Sequence, residues 1–293
     1  MANEENWVRI GNGHLSAAIN PFGAELSSLQ DAEGRELMTN ADPAFWTGRA
    51  PLLFPVIGVT RDGIRLNGQH YPMAKHGFAR HSMFELVTHE ATRAVFSLGD
   101  SEATRTSYPF AFRLEAEFRL EEATLVMEIR VLNRGEEPMP ASFGFHPAFA
   151  WPLPYGEARA DHRILFEKDE PARLRKIAPD GLIAEDRRDS PLDGRVLHLA
   201  DDLFTDDALV WDPVESQSLT YGVDSAPQLR IAFPDTPKLG IWTKPGAAYV
   251  CVEPWHGIAD PEGFDGDFTD KPGVFVVPVG GEKVMQMTVT LAG

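Results

Sequence analysis

The sequence predicts an all-β protein of many antiparallel strands with few short helices. Three observations carry that prediction: apolar residues recur at every second position, turn signals interrupt them often, and no amphipathic helical stretch exceeds about three turns. Arg113–Leu120 puts Leu114, Ala116, Phe118 and Leu120 on one face and charged residues on the other. Met285–Leu291 repeats this through Met285, Met287, Val289 and Leu291, and Leu125–Val131 and Gln228–Phe233 read similarly. Such alternation marks strands with one buried face. Between them stand Asn20-Pro-Phe-Gly23, Arg61-Asp-Gly63, Asn67-Gly68, Asn133-Arg-Gly135 and Lys244-Pro-Gly246, residue types that suit tight turns. Asp42 to Gly48 suits one helical turn, with Asp42 capping and Pro43 in the first position. No Ser/Gly-rich linker or shift in composition divides residues 1–293, so they read as one domain, with the charged, irregular stretch Glu167–Asp193 as a surface excursion.

Charge and cysteine count narrow the class of function. A formal charge of −17 and a pI near 4.9 oppose binding to nucleic acid or an anionic membrane surface, because the summed field repels both. A small anionic ligand stays possible, since a few arginines can reverse the sign inside one pocket. With the single cysteine Cys251, no internal disulfide can form, and no zinc site built on cysteines is expected. The N-terminal MANEENWVRI has neither a basic n-region nor an apolar h-region. The densest apolar run, Val274–Val279, is far short of the ~20 residues a membrane span needs and is broken by Pro278. These features predict a soluble cytoplasmic protein, with monomer and homodimer both open.

Two strands carry polar residues where apolar ones belong. In Ser142-Phe-Gly-Phe-His-Pro147, the phenylalanines take one face while Ser142, Gly144 and His146 take the other. In Tyr249-Val-Cys-Val-Glu-Pro254, both faces are apolar until Glu253, and a buried ionised carboxylate is costly without partners. Each polar residue precedes a proline, which holds it extended and should end the strand there. A His and a Glu at strand ends, with Gly144 leaving room beside the His, suit a cleft mouth. The same pattern suits a satisfied core histidine and a structural ion pair, and the residues alone leave both open. Lys75-His-Gly-Phe-Ala-Arg80 is polar at both ends, with a glycine that allows a close backbone approach. By itself it is weak evidence.

Together, His76-Gly-Phe-Ala-Arg80, Phe143-Gly-Phe-His-Pro-Ala-Phe149 and Cys251-Val-Glu-Pro-Trp-His-Gly257 resemble, in order, the signature segments of the aldose 1-epimerase (galactose mutarotase-like) superfamily, its LacX-like branch above all. Trp46, Leu53–Gly58, Leu203–Ala208 and Gly240–Trp242 support the resemblance, which runs along nearly the whole chain. It implies a many-stranded antiparallel β-supersandwich with one sugar cleft, and interconversion of the α and β anomers of an aldose with no cofactor or metal. It also implies roles: His146 protonates the ring oxygen, Glu253 takes the proton of the C1 hydroxyl, and His76 contacts the ring oxygen or adjacent hydroxyls. Arg61, Arg80 and Asp207 would bind substrate. Trp255 could stack on the sugar, as could Trp242 and Phe149, although aromatics in a β core more often only pack. Where hexose mutarotases carry an asparagine-rich segment before the first histidine, this chain has Arg61-Asp-Gly-Ile-Arg65, so the chemistry carries over better than the sugar's identity.

Glu and His suit that chemistry: a carboxylate removes a hydroxyl proton, and an acid that is charged near neutral pH donates to an ether oxygen. No Gly-x-Ser-x-Gly, P-loop or Gly-x-Gly-x-x-Gly motif points elsewhere. A hexose-6-phosphate 1-epimerase ranks second, because a phosphate asks for an arginine fork and no dense arginine cluster is visible. A carbohydrate-binding or sensing protein without turnover is the rival outside enzymes. Lyases and glycoside hydrolases with related sandwiches usually carry a further catalytic domain, for which there is no room here. His256 reads as rim, and the acidic stretch Asp260–Asp270 as a solvated loop whose spacing does not fit a calcium loop.

Overall fold

The alternating segments pair as their pattern demands. In a computed structural model describing residues 4–293, Phe112–Glu121 and Thr124–Asn133 form a hairpin, and Glu282–Ala292 pairs along the far side of the second strand. They belong to a nine-stranded antiparallel sheet that runs, in spatial order, Val196–His198, Arg163–Phe166, Ser218–Gly222, Gln228–Ala232, Glu282–Ala292, Thr124–Asn133, Phe112–Glu121, Arg93–Gly99 and Glu85–Glu90. Leu114, Ala116 and Phe118 are buried while Arg113 is exposed, the expected result of a period of two.

A second, seven-stranded sheet follows the order Phe143–Gly144, Tyr249–His256, Lys238–Trp242, Leu209–Trp211, Leu174–Ile177 and Ile183–Arg188, with Ala148–Ala150 also paired onto Tyr249–His256. Its Val250, Val252, Leu239, Ile241 and Trp211 join Phe118, Met127, Ile231 and Met287 of the first sheet in one apolar cluster reaching from Val8 to Val289. This is a sandwich core. Each fully buried Val, Leu or Phe contributes about 1.5–3 kcal/mol of transfer free energy to it. The opposite face of the second sheet, bearing Tyr249, Cys251, Glu253 and Trp255, supports smaller apolar clusters instead. Among the described residues, helix is confined to the single turn Glu102–Arg105 and short 3-10 turns. At Asp42–Gly48 the chain makes a turn without a helix, in which Trp46 N–H donates to the Asp42 carbonyl.

Two expectations are corrected here. Pro254 does not end its strand, which continues to His256. Val252 N–H donates to Pro147, and Pro254's carbonyl accepts from Phe145 N–H, so the proline ring nitrogen faces the same neighbour. That neighbour is interrupted between Gly144 and Ala148, so no ladder bond is lost. Glu167–Asp193 is no mere surface excursion, for it contains the edge hairpin Leu174–Ile177/Ile183–Arg188.

A buried charge cluster anchors that hairpin. Asp212 accepts from Lys238 Nζ at 2.5 Å and from Arg175 Nε at 2.9 Å. Burial alone would raise the Asp212 pKa, but the two cations outweigh it and hold it below the ordinary value. Because the folded pKa lies below the unfolded one, the stabilisation is present above the unfolded value near 3.9 and fades as pH falls towards the folded one. Asp212→Asn is expected to cost about 3 kcal/mol in urea unfolding at pH 7, since it leaves Lys238 buried without a counter-charge. The loss should shrink as unfolding is repeated at lower pH.

Candidate active site

One cleft of about 460 Å³ opens on the outer face of the second sheet. Lining side chains follow the strand order across its floor. On one side Lys75, His76, Arg80 and His81 form a wall, His146, Glu253 and Trp255 lie in the middle with Trp46 and Trp242, and Asp207, Ala208, Ile177 and Ile183 close the far side.

His146 sits in the interruption between Phe143–Gly144 and Ala148–Ala150, where the backbone leaves the ladder and turns its side chain into the cleft. Its Nε2 lies 3.2 Å from Glu253 Oε2, and both side chains are nearly inaccessible to solvent. Nδ1 of His146 is buried without a partner. The Trp46 ring tilts over the imidazole with centroids 5.0 Å apart, and Trp242 meets it edge-on at 6.0 Å. Burial pushes His146 down to about 3, with Arg80 and Lys75 adding to the shift. Burial pushes Glu253 well above the usual carboxylate range; Asp207 adds to that, while Lys75 and Trp255 oppose it. Burial thus pushes each member of the pair towards its neutral form.

His76 is held by Gly58 at two points. Its backbone N–H donates to the Gly58 carbonyl at 2.9 Å, and the Gly58 N–H donates to His76 Nδ1 at 3.0 Å. Nδ1 is thus the acceptor, so a neutral ring carries its hydrogen on Nε2. Burial lowers the His76 pKa well below its ordinary value, and His146, Lys75 and Arg80 lower it further. The His76 and His146 rings stand edge to face at 6.0 Å. His76 has φ +66° and Asp207 φ +71°, left-handed backbone that costs a non-glycine residue ~1–2 kcal/mol.

Trp255 lies over bare backbone on both neighbouring strands. A Cβ on Gly144 would stand 2.6 Å from its Cδ1, and one on Gly240 would stand 2.7 Å from its Cη2. The space beside Gly144 therefore serves Trp255, not His146 as expected from the sequence.

Among the proposed binders, Arg80, Asp207 and Trp255 line the cleft and Arg61 does not. Arg61 is exposed, and its backbone N–H donates to Asp260. Phe149 is buried in the sandwich core, and His256 packs on Phe275, outside the lining. Asp260–Asp270 is not wholly solvated either: Asp260 is buried against Lys271 at 2.8 Å, and Asp267 accepts from Asn67 N–H. Reading the sequence missed Trp46 and Lys75 as lining residues, and the hairpin residues Ile177 and Ile183. The cysteine count also missed a proximity. His146, Cys251 and Glu253 offer potential ligand atoms within 4.8 Å of one another, so a three-donor set with one cysteine exists where none was expected.

The second sheet of the antiparallel sandwich thus carries a His/Glu pair and a second histidine in one cleft. A family model described as aldose 1-epimerase matches residues 7–271. The LacX protein of Lactococcus lactis subsp. lactis, in plasmid and chromosomal forms, is 31% identical over 278 residues, covering 91% of this chain and 93% of the relative. A galactose mutarotase related enzyme from Lactobacillus acidophilus superposes with a TM-score of 0.91 at 32% identity, covering 98% of this chain and 97% of that one. A galactose mutarotase-like protein from Lactobacillus casei gives 0.90 at 29% identity, covering 98% and 100%. The chain belongs to the aldose 1-epimerase family. Among the described residues, no helix is long and apolar enough to cross a membrane.

Proposed function

We propose that the protein is an aldose 1-epimerase, interconverting the anomers of an aldose by ring opening and reclosure. The contact that carries this reading is His146 Nε2 to Glu253 Oε2, 3.2 Å apart on the floor of the cleft, with His76 beside it. One proton leaves the C1 hydroxyl for Glu253 as the bond from C1 to the ring oxygen breaks. The ring oxygen receives a proton from His146. Rotation about C1–C2 presents the other aldehyde face, and reclosure returns both protons. For this sequence of steps His146 must be charged and Glu253 ionised when the sugar is bound; burial favours the neutral forms, and the hydroxyl dipoles of the sugar supply solvation to the charged ones. Positioned acid–base groups contribute ~10²–10⁴ each, which suffices for a reaction that already proceeds unaided.

The test is polarimetry of freshly dissolved α-anomers across a panel of aldoses, with and without protein. Acceleration in proportion to protein supports the reading; rates equal to buffer on every aldose and aldose derivative refute it. The pH profile adds a second check. Because burial moves both histidines down, kcat/KM should not fall on acidification through the ordinary histidine value of about 6.5, and the raised Glu253 puts the other limb above the usual carboxylate range. A fall in rate through that value would show a histidine titrating freely.

A further inference from the structure

We infer that His146, Cys251 and Glu253 form a binding site for a thiophilic divalent cation of the zinc class, which inhibits the protein by occupying the atoms a sugar needs. The site stands without the epimerase reading; the inhibition rests on it. One potential ligand atom from each of the three residues lies within 4.8 Å of the others, and all three residues are buried. The spacing of His146 Nε2 and Glu253 Oε2, 3.2 Å, is already that of one edge of a zinc tetrahedron, about 3.3 Å for metal bonds of about 2.0–2.1 Å to nitrogen and oxygen. For the Cys251 sulfur to reach its own bond length of about 2.3 Å, a shift of about an ångström suffices.

Strand register assembles the donors. Cys251 and Glu253 stand two residues apart in Tyr249–His256, so they share the face that looks away from the sandwich core. His146 reaches them from the interrupted neighbour, which is fixed on both sides: Phe145 N–H donates to the Pro254 carbonyl, and Ala148 pairs with Cys251. Backbone pairing thus holds the set in place before a cation arrives. Tyr249, Trp46 and Trp242 belong to the same apolar cluster as Cys251 and shield the sulfur. His146 and Glu253 line the cleft, so a fourth coordination position opens into it, as in zinc sites with three protein ligands and one exchangeable one. A thiolate with an imidazole selects zinc or cobalt over magnesium and calcium, which take oxygen ligands. As the sulfur–metal bond forms, the thiol proton leaves to solvent, and so does any proton on Glu253. The imidazole nitrogen and the carboxylate oxygen that would move protons on the sugar are then both bound to metal.

Co²⁺ is the first probe, because it reads the sulfur directly and Cys251 is the single cysteine of the chain. Added to the wild-type protein, Co²⁺ should give a thiolate-to-cobalt charge-transfer band that saturates stoichiometrically. Zn²⁺ should abolish the band and Mg²⁺ should not. In the anomer assay, Zn²⁺ should raise the apparent KM for the sugar with little change in kcat, and a chelator should restore the rate. Exposed carboxylates of a chain with net charge −17 also collect cations, so the cysteine variants decide. Cys251→Ala and Cys251→Ser should turn over like wild type without metal, yet need ~10-fold or more Zn²⁺ for the same inhibition. Absence of the cobalt band from the wild-type protein, or equal zinc inhibition in wild type and both variants, would overturn the site. Zinc inhibition that excess sugar does not relieve would overturn the competition. If no aldose is turned over, the cobalt band and its loss to zinc still decide the site, separately from the epimerase reading.

Discussion

Glu253→Gln and His146→Asn are each expected to lower the rate of anomer interconversion at least ~100-fold while the protein stays folded. Both replacements keep the shape of the side chain and its capacity to hydrogen-bond, so the buried pair stays filled. What they remove is the transferable proton: a glutamine cannot accept one from the C1 hydroxyl, and an asparagine cannot donate one to the ring oxygen at a useful pKa. The contact at 3.2 Å makes the two groups one unit, so the double variant should be little worse than either single one. Thermal unfolding midpoints close to wild type would show that the lost rate is chemical. A single variant with wild-type rate would remove that residue from the mechanism.

Gly77→Ala should produce the largest loss of stability of any methyl-sized change near the site. Gly77 has φ +73°, and a Cβ there would stand 2.1 Å from the Phe54 carbonyl oxygen and 2.4 Å from its carbon. That carbonyl cannot yield easily, because it accepts from Phe78 N–H at 3.0 Å and Ala79 N–H at 3.3 Å. The left-handed backbone costs an alanine ~1–2 kcal/mol, and forcing the two segments apart costs about 1–3 kcal/mol more. Urea unfolding should therefore show a loss of about 2–5 kcal/mol. Gly99→Ala, with open space around its Cβ position and no positive φ, is the control and should lie within about 1 kcal/mol of wild type. Since Gly77 joins His76 to the turn that carries Arg80, its loss should also lower turnover. A Gly77→Ala protein of wild-type stability would contradict the close approach described here.

How much of this was legible beforehand depends on which residues lay together in sequence. Strand identity was readable at Arg113–Leu120 and Met285–Leu291, where one face meets the core and the other meets water. His146 and Glu253 stood out as polar residues in apolar strands, but the residues alone left a core histidine and a structural ion pair open, and only the resemblance gave them roles. Arg61 matched the family's substrate-binding arginine by resemblance, but the turn at Asp62–Gly63 carries it outward. The hairpin wall was hidden because its charged outward side, with Lys176, Glu185 and Asp186, looks like loop, while Ile177 and Ile183 carry the cleft-facing surface. Pro254 misled for another reason. A proline breaks a ladder only where its nitrogen faces a partner, and the sequence does not show that Phe145–Pro147 leaves that position open. Trp46 gave a signal through the resemblance, but only the turn at Asp42 brings its ring over His146.

The central claim is that the buried His146–Glu253 pair turns sugar over and does not merely hold it. Exchange NMR on an equilibrated mixture of anomers measures this directly, since it reads interconversion without needing a freshly dissolved pure anomer. With wild-type protein and a panel that includes glucose and its C6-anionic forms, exchange between the α and β signals should rise linearly with protein and drop to the buffer rate with Glu253→Gln. Saturation transfer showing a bound sugar whose anomers exchange no faster than in buffer would contradict the account and make the protein a carbohydrate binder.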